Sequence, residues 1–353
     1  MDGLRELALL ESRDYLEIRF QQRHQRELSA SKARSIIAHL IQGRDYWASA
    51  QGASDLIRPL LQYYGALAFA RAAILFQGRE QNEEALTGGH GLKAIQWRQE
   101  LSQGPRALLD LRIRVTGGTM QQIANATGNH EPSRIYTAPF PSWNLHRRVG
   151  TPSIEGAEVR IRDLLNRLPA TIKMYERVTG LRAAAYPGFA FEVGERRPGM
   201  PGPEVIVFEG LAGLPTPDEL RSALQLSEDQ EIHERQNHQW GQGGPARTYY
   251  MSRDDDISER CLATGADGSA WVITPMPDGT VWSQLLMMLA LSFCLGALVR
   301  YHPTLWMDLA GQARGDIALP LVRHAQEAID QQIPHLMAQH FKLRAGVPIE
   351  VPI

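Results

Sequence analysis

The feature that most limits how this chain can fold is an apolar segment in its N-terminal part. From Leu60 to Phe76, only Gln62, Gly65 and Arg71 interrupt a run of apolar and aromatic residues. A helix over this segment is hydrophobic on nearly every side, so it belongs in the middle of a domain. A second apolar run, Leu285 to Val299, is shorter than the roughly 20 residues that span a bilayer. We expect two buried helices packed in one core and no membrane partner. A membrane span with aromatic residues at its ends is the alternative.

Composition is that of a folded soluble protein, with 43% hydrophobic and 22% charged residues in a chain of 353. The N-terminus carries acidic residues throughout and has no apolar core of a secretory signal. Cys261 and Cys294 are too few for a disulfide scaffold and are not spaced as a metal pair. We therefore expect a cytoplasmic protein.

The order of local patterns predicts an α+β fold, mainly α, with a helical core and a small β-sheet insertion between N- and C-terminal helices. Residues 1–182 form the N-terminal helical region, which includes a long loop over 116–152 rich in Gly, Pro, Thr, Ser and Asn. Residues 183–279 form the β-containing insertion. Residues 280–353 form C-terminal helices that pack back on the N-terminal region, because neither apolar helix can stay exposed.

Periodicity and turn residues predict the individual elements. Helices are expected at 2–25, from Ser29 or Ser31 to a stop at Gly43, at 58–76, 92–101, 154–178, 217–226, 281–300, from Asp308 or Ala318 to Gln332, and at 334–342. Strands are expected at 189–193, 205–208, 247–251 and 270–274.

Four segments together resemble a known family. They are IQGRDYWASA at 41–50, IRPLLQYYGALAFARAAIL at 57–75, HGL at 90–92 and VRYHPTLW at 299–306. The combination resembles the bacterial YaaC-like family over about residues 30–340. The resemblance implies a family without a settled activity, and its motifs describe packing and turns more than catalysis.

The apolar helix and the HGL turn are also similar to the core of HEPN-type helical domains. Many of those domains cut RNA or accompany defence systems, and the RNA-cutting members carry an Arg followed after four to six residues by a His. This spacing occurs at Arg19 with His24 and at Arg34 with His39. Neither pair lies in the late helix where such domains carry it, and there Arg300 and His302 are separated by only one residue.

Arg71 is the most informative single residue, because it interrupts a helix that is otherwise apolar. A guanidinium group in such a place needs a carboxylate or a phosphate. It either forms a buried ion pair between helices or binds an anionic ligand. Tyr63 and Tyr64 carry the same two interpretations, as core residues with a satisfied hydroxyl or as ligand contacts.

His90 is the candidate catalytic residue if the protein has an active site. Its glycine-flanked turn is predicted to precede a helix, where free backbone N–H groups can hold an anion and the imidazole can transfer protons. A turn histidine that caps local carbonyls is the alternative. Arg58, Arg300, His302 and Trp306 stand at the ends of the two apolar helices, and we expect them to converge with His90 on one ligand pocket.

A candidate nucleic-acid segment runs from Ile135 to Arg148. Its aromatic residues could stack on bases and its arginines could neutralise phosphates; ordinary loop packing is the alternative. The residues are Tyr136, Phe140, Trp143, His146, Arg147 and Arg148.

The sequence predicts no metal and no cofactor. His233 and His238 are five residues apart, so they cannot share a metal as an i, i+4 pair on a helix does. The acidic residues at 254–256 and Glu259 lack the spacing of a calcium loop. No phosphate-binding loop or GxSxG motif is present.

These observations favour a non-catalytic binding or assembly module, with a nucleic acid or another anionic ligand as its partner. The HEPN similarity suggests a link to bacterial stress or phage defence. An RNA-cleaving enzyme that uses an Arg–His pair is the alternative. A purely structural subunit, with a protein partner or a second copy of the chain, is a third reading.

Overall fold

The fold is described from a computed structural model of the chain. It describes residues 3–78, 82–137, 141–146, 153–192, 204–210, 215–237, 246–252, 262–265, 267–311 and 316–342. Helices dominate both ends of the chain, and most strands lie between them, so the predicted α+β, mainly α class is confirmed.

The described helices are α1 (Gly3–Leu9), α2 (Arg13–His24), α3 (Ala30–Gly52), α4 (Arg58–Gln77), α5 (Trp97–Leu101), α6 (Gly118–Thr127), α7 (Ile161–Leu165), α8 (Ile172–Thr179), α9 (Pro217–Leu224), α10 (Gln284–Tyr301), α11 (Pro303–Ala310) and α12 (Leu319–Lys342). The described strands are β1 (Leu92–Ile95), β2 (Arg112–Val115), β3 (Glu131–Thr137), β4 (Pro141–His146), β5 (Glu158–Arg160), β6 (Ala185–Glu192), β7 (Glu204–Gly210), β8 (Ile232–Asn237), β9 (Ala246–Ser252), β10 (Leu262–Thr264) and β11 (Ala270–Ile273).

The core forms around the two apolar helices, as the sequence predicts. Helix α4 contacts α3, α10 and α12. Gly296 of α10 lies so close to α4 that a Cβ there would be 3.0 Å from Cβ of Tyr63. Helix α12 contacts both α4 and α1, so the C-terminal helices do pack back on the N-terminal region.

Both apolar helices are long and apolar enough to cross a membrane by length and composition alone. Core helices of soluble proteins share these properties. In α4, 72% of the most apolar window is buried inside the protein, and in α10 the share is 83%. Most of their apolar surface is therefore already covered by other parts of the chain.

Glycines decide where the N-terminal helices meet. The predicted stop at Gly43 is wrong, because α3 continues to Gly52. A Cβ on Gly43 would lie 2.5 Å from Cδ1 of Phe69, so this glycine lets α3 approach α4 instead of ending the helix. The single helix predicted over 2–25 is two helices, since Ser12 caps the start of α2 through the N–H of Tyr15.

Two predicted helices contain strands. The segment 92–101 is β1 followed by α5, and Gln96 between them has a positive φ of 56° that interrupts any helix. The segment 154–178 holds β5, α7 and α8, with Pro169 in the break between the two helices. The last two predicted helices, by contrast, are the single helix α12, which has Pro334 inside it.

The β structure is larger than the predicted small insertion. A three-stranded antiparallel sheet has the order β1-β2-β5 and lies within the N-terminal region. An eight-stranded sheet has the order β10-β11-β6-β7-β9-β8, with β3 parallel to β6 and antiparallel to β4. The predicted loop over 116–152 thus contains α6, β3 and β4. All four predicted strands are confirmed within β6, β7, β9 and β11.

Candidate functional site

The candidate site lies where α3, α4 and α10 meet the turn at 88–91. The turn is held by glycines that allow two backbone segments to touch. Gly91 has a φ of 79°, and a Cβ there would lie 1.7 Å from the carbonyl oxygen of Gly117. The first amides of α6 donate to this turn, from Thr119 to the Gly89 oxygen at 2.9 Å and from Met120 to the His90 oxygen at 3.1 Å.

This geometry corrects the predicted role of the turn. His90 precedes β1, not a helix, so it has no free helical amides of its own. Its Nδ1 accepts a hydrogen bond from the backbone N–H of Leu92 at 3.3 Å. The turn carbonyls instead cap the N-terminus of α6, and the imidazole is left to pack with aromatic rings.

An aromatic cluster surrounds His90. Its ring centroid lies 4.9 Å from that of Phe293 and 6.4 Å from that of Tyr63. Tyr63 also contacts Phe293, with 5.7 Å between centroids, and Tyr64, with 5.5 Å. Burial lowers the pKa of His90, and the positive charge of Arg300 lowers it further. The imidazole is therefore neutral at neutral pH.

The positive charges of two arginines act on these tyrosines. Nη1 of Arg300 donates to the Tyr64 hydroxyl at 2.8 Å, and its guanidinium carbon lies 5.1 Å from the centre of the Tyr301 ring. Burial raises the pKa of Tyr63, and the positive charges of Arg71 and Arg300 oppose that rise. Both arginines thus act on the same hydroxyl, which is buried without a hydrogen-bond partner.

Arg71 is half-buried and makes no ion pair with any residue that the structure describes. Its Nε is buried and has no hydrogen-bond partner. Burial lowers the pKa of His39, and the charge of Arg71 lowers it further, so this histidine does not balance the guanidinium group. The first interpretation of Arg71, a buried ion pair between helices, therefore has no support within the described part of the chain.

Sequence reasoning missed Tyr46 and Phe293. Tyr46 of α3 stacks on Tyr64 of α4, with ring centroids 5.6 Å apart and planes inclined by 28°. Tyr46 belongs to the segment 41–50 that carries the family resemblance, which was the available signal. We call Tyr46, Tyr63, Tyr64, Arg71, His90 and Arg300 the tyrosine–arginine site.

The other residues expected at this pocket have neighbours of their own. Arg58 pairs with Asp330 of α12, which also accepts from Nε2 of Gln62 at 2.8 Å. His302 lies beside Trp97, with ring centroids 6.1 Å apart. Trp306 is buried, and its Nε1 has no hydrogen-bond partner. Among the described residues, no hydrogen bond, ion pair or ring stacking joins these three side chains to His90, whereas the charge of Arg300 acts on it. Their convergence on one pocket stays a prediction.

The predicted nucleic-acid segment is described only in part. Tyr136 lies in β3 and Trp143 lies in β4, and these two strands pair in an antiparallel arrangement. Phe140, Arg147 and Arg148 lie outside the described residues.

The described residues hold no cluster of three or more His, Cys, Asp or Glu side chains that suits a metal ion. His238, Asp254, Asp255, Asp256 and Glu259 lie outside this part of the chain. Cys294 is a free, fully buried thiol in α10, and burial raises its pKa.

The two candidate Arg–His pairs have different surroundings. Arg19 donates to the backbone oxygen of Lys342 at 3.1 Å, and His24 contacts the backbone oxygen of Phe76 at 2.8 Å, so both are used in packing. Arg34 is exposed, whereas His39 is half-buried near Arg71.

Comparison with known proteins gives one match. The model of a family described as YaaC-like Protein matches residues 9–341. No curated protein and no solved structure matches the chain. The similarity to HEPN-type domains stays a prediction. Since the match covers nearly the whole sequence, the chain belongs to the YaaC-like family.

Proposed function

We propose that this protein is a non-catalytic module that binds single-stranded nucleic acid at the tyrosine–arginine site. The observation that carries the proposal is a pair of arginines that have no carboxylate partner among the described residues: Arg300 donates to the Tyr64 hydroxyl, and the charge of Arg71 acts on Tyr63. A guanidinium group presents N–H donors in a planar fork that matches phosphate oxygens. A buried Nε without a partner is a donor that such a ligand would satisfy.

The aromatic residues suit the bases of such a ligand. The stacked rings of Tyr46 and Tyr64 offer a face on which a base can stack without regard to its sequence. Tyr301 is 60% exposed and lies next to Arg300, so it adds a second aromatic surface. The predicted nucleic-acid contacts at Tyr136, Trp143, Arg147 and Arg148 belong to the same proposal.

The proposal is non-catalytic because burial raises the pKa of the Tyr63 hydroxyl, which keeps this group beside His90 protonated and weakly nucleophilic. The His90 imidazole faces the rings of Tyr63 and Phe293. Cys294 lies inside α10 and is fully buried. The proposed location is the cytoplasm, and the proposed link to stress or phage defence rests on the HEPN similarity alone.

The test is fluorescence anisotropy with a labelled single-stranded RNA, measured from 50 to 300 mM salt. The variants are Arg71→Gln, Arg300→Gln and their combination. Each phosphate contact that is lost should lower the slope of log affinity against log salt by about 0.7. Arg5→Gln is the matched control, because Arg5 is an exposed arginine of α1 and its replacement removes the same charge. If the double variant binds RNA as tightly as the control, the site is not the binding surface.

An RNA-cleaving enzyme is the second candidate, and the position of His39 favours it. A neutral imidazole near Arg71 is in the form that a general base needs. If the binding proposal holds, the RNA should stay intact when total RNA is incubated with the protein. Cleavage that is lost on His39→Ala or His90→Ala, but kept with His302→Ala, would replace the binding module with a nuclease. Light scattering on the same preparation tests the proposed oligomer or protein partner.

A further inference from the structure

A concave surface elsewhere in the N-terminal region shares no residue with the tyrosine–arginine site. It is a groove of about 610 Å³ formed by α5, the 3₁₀ segment Pro105–Asp110, β2 and β5. Ala107 is its only apolar lining residue, and the rest are charged or amide side chains. We call it the arginine groove.

Two arginines of this groove stand directly opposite each other. Arg112 of β2 pairs in register with Arg160 of the antiparallel strand β5. Side chains opposite each other on one face of such a pair have Cβ atoms about 5 Å apart, and like charges there are destabilising. The charge of Arg112 is compensated, because its Nη2 lies 3.5 Å from Oε1 of Glu100 and its Nη1 lies 3.9 Å from Oε2 of Glu158. Arg160 has no such carboxylate among the described residues.

The remaining charges of the groove do not balance. Of the two lining carboxylates, Asp110 is paired with Arg162 and Glu100 is paired with Arg112. Arg106 and Arg160 make no side-chain ion pair with any residue in the described part of the chain. The lining carboxylates are thus already occupied, and two guanidinium groups face the groove with unused donors.

The shape and lining of the groove select a class of ligand. Its volume is within the usual range of small-molecule sites, about 300–1,000 Å³. No aromatic side chain lines it, so it offers no surface on which a nucleobase could stack. Gln103 and the paired carboxylates of Glu100 and Asp110 can bond hydroxyl groups. Two arginine forks suit a dianionic group such as a phosphate monoester.

We infer that the arginine groove binds a small phosphorylated, hydroxyl-rich molecule of the sugar phosphate class, through Arg106 and Arg160. A bound phosphate would also offset the repulsion between Arg112 and Arg160. The ligand should therefore stabilise the fold as well as occupy the groove.

The first experiment is isothermal titration calorimetry of the full chain with ribose 5-phosphate. The variant Arg106→Gln/Arg160→Gln should bind at least tenfold more weakly than the wild type. The matched control Arg5→Gln/Arg177→Gln removes the same charge at two exposed arginines on α1 and α8, and it should bind as the wild type does. Equal affinity of the two double variants, or no heat of binding with wild type at millimolar ligand, would overturn the assignment.

Three further measurements test the phosphate assignment, the repulsion between Arg112 and Arg160, and the independence of the groove from the tyrosine–arginine site. Succinate binding more tightly than ribose 5-phosphate would overturn the phosphate assignment. Arg160→Gln without ligand should raise the melting temperature, because it removes the like charge opposite Arg112, and a lowered melting temperature would contradict this. Arg71→Gln/Arg300→Gln should leave ribose 5-phosphate binding unchanged, so failure of this inference is distinguishable from failure of the nucleic-acid site.

Discussion

Replacing Gly65 with alanine adds one carbon atom where α3 crosses α4. The new Cβ would lie 2.8 Å from Cε3 of Trp47 and 3.1 Å from the backbone oxygen of Gly43. Trp47 is fully buried, and a backbone oxygen cannot rotate away, so the helices must separate. Overpacking of this kind costs about 1–3 kcal/mol. Alanine in a helix interior returns about 1 kcal/mol relative to glycine. We expect a net destabilisation of about 1 kcal/mol.

The matched control is Gly52→Ala, at the end of α3, where a Cβ meets nothing within 4 Å. This substitution gains helix propensity without a clash, so it should leave the stability unchanged or raise it by up to about 1 kcal/mol. Urea unfolding followed by tryptophan fluorescence measures both variants. A Gly65→Ala protein as stable as Gly52→Ala would refute the close approach of α3 to α4.

The same substitution tests the site that this crossing builds. The Cβ added at Gly65 would also lie 3.4 Å from Cβ of Tyr46, whose ring stacks on Tyr64. A shift of α3 should therefore weaken RNA binding in the anisotropy assay, whereas Gly52→Ala should not. Unchanged binding in a destabilised Gly65→Ala protein would show that the Tyr46–Tyr64 stack does not contribute to the ligand surface.

Two other predictions concern buried charge. Asp330→Ala leaves Arg58 without its carboxylate and removes one of the two acceptors of the Gln62 side chain, which keeps the backbone oxygen of Gln326. Because the Asp330 side chain is only 15% exposed, urea unfolding should show a loss of about 1.5–3 kcal/mol; a loss below about 0.5 kcal/mol would contradict the pair. Burial lowers the pKa of His340 to about 3. Below about pH 6.5 the unfolded chain binds a proton at His340 and the folded chain does not. The free energy of unfolding therefore decreases as the pH decreases, by about 1.4 kcal/mol per pH unit. Relative to the wild type, His340→Leu should gain about 2 kcal/mol between pH 7 and pH 5; parallel pH profiles of the two proteins would exclude this role.

The elements that the sequence predicts well are those with a local cause. The composition of α4 and α10 requires burial wherever the rest of the chain lies. The start of α9 is set by Thr216 and Glu219, whose side chains and backbone amides bond each other in a capping box. Each signal lies within a single helix, so no knowledge of the fold is needed to find it.

The errors arise where distant segments decide the structure. The segment 92–101 has the apolar spacing of a short helix, and only pairing with β2 makes its first half a strand. Strand β3 is held by a parallel pairing with β6, and nothing near β3 in the sequence indicates that partner. Short apolar runs are ambiguous between helix and strand for this reason.

In the candidate site, too, some properties follow from local sequence and others depend on contacts between distant segments. That Arg71 needs an anion follows from its apolar neighbours in the sequence. That Tyr46 stacks on Tyr64 depends on the distance between α3 and α4, which small residues such as Gly43 and Gly65 determine. The pairing of Arg58 with Asp330 likewise depends on the face of α4 that contacts α12. Residues at the ends of two packed helices can thus have different side-chain partners.

The central claim is that α4 and α10 form one buried core inside a protein that folds in water, and that this core positions the tyrosine–arginine site. Hydrogen exchange of the purified chain in buffer without detergent tests it most directly. The amides of Arg58–Gln77 and Gln284–Tyr301 should be the slowest to exchange and should become exposed together, in the global unfolding step. Rapid exchange of either helix, or protection of the pair only after lipid or detergent is added, would contradict the claim.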